Sequence, residues 1–124
     1  MTNMKLNHLN LYVRDPRQTS QFFIDYFGFG RGNTNGLDTI AVIHGEDGFV
    51  LALSNFDKKT VPVYPNGFHF GFIQETREQV DSIYARLNAA GFASEAPRAL
   101  HGSWTFYFNA PGDILVEVQY LLER

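Results

Sequence analysis

The chain repeats itself, and that repeat constrains its fold more than any single motif. Asn7–Val13 (NHLNLYV) alternates apolar and polar residues, as a β-strand does. Asp15 follows with a short carboxylate suited to capping a helix, and Pro16 fits the first helical turn. Phe22, Phe23, Tyr26 and Phe27 recur at helical spacing; Gly28 then closes the helix and Phe29 follows. The second half repeats the plan. Phe68–Ile73 (FHFGFI) alternates as a strand, and Thr76 with Gln79 fits a capping box. Val80, Ile83, Tyr84 and Leu87 form the apolar stripe, Gly91 closes the helix and Phe92 follows. His8 and His69 lie 61 positions apart and the two Gly-Phe pairs 63 apart, as a slightly longer second helix requires.

Three strand-like segments follow each helix. In the first half these are about 30–35, 37–44 and 49–54; in the second, about 94–100, 104–109 and 114–120. Asn35-Gly36, Glu46-Asp47-Gly48, His101-Gly102 and Pro111-Gly112-Asp113 separate them as turns. Each half therefore reads β-α-β-β-β, the first module over 4–56 and the second over 67–121, joined near Tyr64-Pro65-Asn66-Gly67. The fold class expected is α+β in one domain of 124 residues.

Composition narrows the function. The net charge is −3 with scattered basic residues, which gives no footprint for nucleic acid. No apolar run approaches the roughly 20 residues that span a bilayer, and Met1–Leu6 has no apolar signal core. The chain has no cysteine, which removes disulfides, thiolate metal sites and a thiol nucleophile, and accords with a cytoplasmic location. Twelve Phe and six Tyr supply core, with some available to line a pocket for an organic ligand.

Strand alternation sorts the polar residues. His8, Asn10 and Tyr12 share one face of the first strand; His69 and Gly71 share one face of the fifth. Thr105, Tyr107 and Asn109 oppose Trp104, Phe106 and Phe108, while Glu117 and Gln119 oppose Ile114, Val116 and Val118. Each strand thus has an apolar face for packing on a helix and a second face carrying polar groups. If the second faces converge, two imidazoles and a carboxylate come together. Such a donor set suits Zn, Ni, Mn or Fe(II). A lone strand histidine is usually structural, but Glu117 among Ile114, Leu115, Val116 and Val118 needs a partner. His8, His69 and Glu117 are therefore the expected metal ligands. His44 and His101, each beside a glycine, read as turn residues, with His101 able to reach the pocket mouth; Arg98 reads as a solvated strand-edge residue with a lesser claim on an anionic substrate.

The stretch NHLNLYVRDPRQTSQFFIDYFGF resembles the opening of vicinal oxygen chelate proteins, with a ligand histidine on the first strand. FHFGF resembles the start of that family's second module, and NAPGDILVEVQ its closing segment, which ends in the ligand glutamate. The family includes glyoxalase I, fosfomycin-resistance thiol transferases, extradiol dioxygenases, methylmalonyl-CoA epimerase and bleomycin-binding proteins. The resemblance implies paired βαβββ modules curling into a half-open mixed barrel with helices outside, a homodimer, and one divalent ion acting as Lewis acid on a small oxygen-bearing substrate. Thr105-Phe106-Tyr107-Phe108 resembles the segment that supplies a substrate-binding tyrosine, here Tyr107; Asn10, which replaces the family's hydroxyl residue, and Thr105 are the other expected substrate contacts. The alternative is a non-catalytic drug- or metabolite-binding protein of the bleomycin-resistance type. Ala52 stands where Glu117 stands in the second half, so the fourth ligand of glyoxalase I is missing there, and no general base can be assigned.

Overall fold

The computed structural model describes residues 2–122. The chain divides into two compact units, Met1–Val63 and Tyr64–Arg124. Among the described residues no helix is long and apolar enough to cross a membrane.

The first unit comprises β1 (His8–Tyr12), α1 (Pro16–Phe27), β2 (Gly30–Arg31), β3 (Ile40–His44) and β4 (Val50–Ser54). Its sheet runs β1-β4-β3-β2, with β1 parallel to β4 and the other pairs antiparallel. Asp15 caps α1 by accepting from the Gln18 amide, Pro16 occupies the first turn, and Gly28 ends the helix in the left-handed region at φ 73°. Only glycine adopts that φ without steric cost. Phe22 and Phe23 turn inward and are 5% and 0% exposed. Phe23 meets Phe29 beyond the cap at 6.2 Å, so the helix end is pinned to the sheet by ring contacts. α1 packs on β3 and β4.

The second unit comprises β5 (His69–Ile73), α2 (Arg77–Ala89), β6 (Arg98–Leu100), β7 (Ser103–Ala110) and β8 (Ile114–Leu121). Its sheet runs β5-β8-β7-β6, again with one parallel pair, β5 with β8. The capping box at Thr76 is complete: its hydroxyl accepts from the Gln79 amide and the Gln79 side chain accepts from the Thr76 amide. Val80 and Leu87 are fully buried on the face of α2 that meets β7 and β8, with Ile83 and Tyr84 half-buried beside them. Trp104 lies on this helix-packing side, but half-buried: its indole donates to Asp81 at 2.8 Å and Arg77 stacks 3.6 Å over the ring.

The βαβββ order read from the sequence is present in both units. Three strands, β2, β3 and β6, are shorter than expected by three residues or more. β2 stops at Arg31 because side chains and turns capture the backbone that follows: Asn33 Oδ1 accepts from the Asn35 amide, and the Gly36 carbonyl accepts from Thr39 and Ile40. β6 begins only at Arg98, directly after Pro97, which has no amide to give a ladder. The strands form two mixed four-stranded sheets, one in each unit, edged by β1 and β2 and by β5 and β6.

Candidate functional site

β8 carries Glu117, the buried carboxylate around which the candidate site is built. Its inward face, Ile114, Val116 and Val118, is fully buried, which fixes its register and turns Glu117 to the opposite side. Glu117 stands directly across from Gly71 on β5 and from Tyr107 on β7. At 5% exposure its carboxylate is nearly out of water, and such a group must be matched by donors or a cation.

Its two oxygens face different partners. Oε2 accepts from the Thr105 hydroxyl at 2.7 Å and lies 2.8 Å from Nε2 of His101. Oε1 faces Nε2 of His69 at 3.5 Å. Tyr107 also bonds Glu117 through its phenol, and its OH sits 3.1 Å from His101 Nε2. Burial, the bond to Glu117 and that carboxylate's charge together raise the Tyr107 pKa, with Arg98 opposing them weakly, so the phenol keeps its proton.

The tautomers separate the histidines. His69 Nδ1 lies 2.8 Å from the Gly67 carbonyl. A carbonyl only accepts, so Nδ1 carries the proton and, in the neutral ring, the Nε2 lone pair points at Glu117 Oε1. His8 is held alike: Nδ1 donates to Asn7 Oδ1 at 2.8 Å, leaving Nε2 as the free donor atom. His101 is the opposite case, with Nε2 toward an acceptor-only carboxylate oxygen at hydrogen-bond distance.

A lone pair facing a carboxylate oxygen is unfavourable unless positive charge lies between them. At 3.5 Å the His69–Glu117 pair exceeds the 2.7–3.2 Å of an ordinary N–H···O bond. Two donors about 2.1 Å from one tetrahedral ion stand about 3.4 Å apart. The spacing, with Nδ1 already held by the Gly67 carbonyl, therefore fits a shared divalent cation. Two donors do not complete a site: no group of three or more His, Cys, Asp or Glu is gathered to hold a metal among the described residues.

The sequence-derived residues thus fall out as follows. His69, Glu117, Thr105 and Tyr107 are brought together in the second unit. Thr105, expected to touch substrate, is 1% exposed and its hydroxyl lies on Glu117, so it supports the carboxylate. His8 and Asn10 lie on β1 of the first unit, where Asn10 faces Ala52 and accepts from the Ser54 hydroxyl at 2.7 Å. The register places Ala52 opposite Asn10 as Glu117 is opposite Gly71, so the first unit has no counterpart of the acid. His101, read from the sequence as a turn residue able to reach the pocket mouth, meets Glu117, a contact that sequence reasoning did not assign. The available signal was a histidine where a two-residue hairpin favours asparagine.

The family model described as the Glyoxalase/Bleomycin resistance protein/Dioxygenase superfamily matches residues 5–118. A possible glyoxalase from Bacillus cereus is 42% identical, with 94% of this chain and 99% of that one covered and a TM-score of 0.83. A lactoylglutathione lyase from Agrobacterium tumefaciens is 19% identical over 97% of this chain and 96% of that one, with a TM-score of 0.77. A genomically encoded fosfomycin resistance protein, FosX, from Listeria monocytogenes is 21% identical over 96% and 94%, with a TM-score of 0.72. These last two share the fold. A comparison with curated proteins finds no match.

Proposed function

The chain belongs to the glyoxalase/bleomycin resistance/dioxygenase superfamily, and from that premise we propose that it is a metal-dependent enzyme acting on a small oxygen-bearing molecule. His8, His69 and Glu117 would hold one divalent ion, Zn, Ni, Mn or Fe(II). The observation that carries this reading is the placement of His69 Nε2 3.5 Å from Glu117 Oε1, with Nδ1 of the same ring on the Gly67 carbonyl. The ion would supply Lewis acidity, stabilising negative charge as it develops on a substrate oxygen. The chain's own residues do the rest. Thr105 and Tyr107 donate to Glu117 and hold its orientation. Tyr107, kept protonated, presents a phenol to orient a substrate oxygen beside the pair.

Elemental analysis of untagged protein tests the reading. One equivalent of transition metal is expected, lost in His8→Ala and in Glu117→Ala while both variants keep the wild-type circular dichroism. Metal-free protein that binds an aromatic ligand tightly would instead point to a sequestering protein. Assays with fosfomycin plus thiols, methylglyoxal plus glutathione, and catechols then divide the reaction classes.

A further inference from the structure

His101 sits at the tip of the β6–β7 hairpin, where Leu100 pairs with Ser103 and only His101 and Gly102 remain for the turn. Both have positive φ, 41° and 81°. A two-residue turn of this type takes Asn-Gly readily, because both residues occupy the left-handed region. A histidine in the first position carries backbone strain that asparagine relieves at least as well. The strain places the ring over the polar face of the sheet, with Nε2 2.8 Å from Glu117 Oε2 and 3.1 Å from the Tyr107 hydroxyl.

We propose that His101 is a positioning residue: its Nε2–H, with the Thr105 hydroxyl, fixes Oε2 of Glu117 and so aims Oε1 at the His69 side, where a cation would bind. The argument is geometric. His101 Nε2 meets Glu117 Oε2 at 2.8 Å, a hydrogen-bond distance, whereas His69 Nε2 stands 3.5 Å from Oε1 while Nδ1 of its ring is held by the Gly67 carbonyl. His101 is therefore a donor to the ligand and not a ligand itself. Partners of this kind, which orient a metal-binding group, commonly change metal affinity 10- to 100-fold when removed. The inference rests on Glu117 serving as a ligand, and its test separates the two ideas.

Cobalt(II) is titrated into metal-free protein and followed by visible absorption, for wild type and three variants. His101→Ala is expected to bind about 10- to 100-fold more weakly. His101→Asn should match that loss while folding as stably as wild type, because it suits the turn but is too short to reach Glu117. His101→Gln, with an amide N–H at nearly the reach of Nε2, should restore most of the affinity, and the absorption bands should be unchanged. Unaltered affinity in His101→Ala overturns the proposal, as does a changed cobalt spectrum in His101→Gln, which would make His101 a ligand. If wild-type protein takes up no cobalt, the ligand reading of Glu117 fails. The ring-nitrogen NMR spectrum of the metal-free protein still decides the positioning claim: His101 protonated on Nε2 and His69 on Nδ1 support it, and an unprotonated His101 Nε2 defeats it.

Discussion

At the scale of single residues, the site is organised around one carboxylate and the donors that surround it. Tyr107 shows the consequence most directly. Its pKa in the folded chain lies above the ordinary 10.0, because the phenolate would be desolvated beside Glu117. Folding therefore favours the neutral phenol. That contribution is fully present below pH 10, the unfolded value, and fades as the pH rises from there through the higher folded value. Urea midpoints measured from pH 8 to 11.5 should fall more steeply for wild type than for Tyr107→Phe, and tyrosinate absorbance should lack its latest-titrating component in the variant. Equal slopes would mean that Tyr107 is as well hydrated folded as unfolded. The juxtaposition of His69 and Glu117 was legible in the sequence, because alternation along β5 and β8 puts both on the face away from the apolar residues. His101 was legible only as a turn residue able to reach the pocket mouth, because turn chemistry accounts for a residue before Gly102 and does not name the partner that its side chain meets. Thr105 was placed on the polar face, but its bond to Glu117 was not foreseen: strand alternation names a side of the sheet and is silent on which neighbour a hydroxyl reaches.

At the scale of elements, Gly71 is the residue on which the β5–β8 pairing turns. A Cβ added there would lie 3.0 Å from the Glu117 carbonyl oxygen and 3.3 Å from Glu117 Cβ. The nearest obstacle is backbone, which cannot swing aside as a flexible side-chain end can. Gly71→Ala should push the strands apart, costing about 1–3 kcal/mol, and should displace Glu117 from His69. Urea denaturation reads the first effect and cobalt affinity the second. Wild-type values for both would show that the edge strand adjusts freely. The elements themselves were well marked in the sequence. Both helix starts are written in short polar side chains, Asp15 and Thr76, and their stripes in Phe22, Phe23, Val80 and Leu87. Gly91, at φ 87°, follows the second helix one residue after its cap at Ala90. What alternation could not foresee was where a strand yields its backbone to competing partners, as after Arg31, or loses a donor, as at Pro97.

At the scale of the whole molecule, each sheet leaves an edge strand bearing a candidate ligand, β1 with His8 and β5 with His69. Edges with unpaired amides and carbonyls are usually covered, shortened or charged. Leu6, just before β1, is 77% exposed, and Phe68 and Ile73, flanking and ending β5, are 42% and 58% exposed. Apolar groups beside open edges mark surfaces that gain by association, and a second copy of the chain supplies a matching surface by symmetry. We therefore expect a homodimer. Light scattering at micromolar concentration should give twice the 14.1 kDa of one chain, and Leu6→Glu or Ile73→Glu should shift the mass toward the monomer without loss of secondary structure. If dissociation also releases the bound metal, His8 and the His69–Glu117 pair of one site come from different copies. If metal is retained by the monomer, all three come from one chain and the interface only stabilises it. A wild-type mass of 14.1 kDa at every concentration would leave these exposed side chains without an oligomeric role.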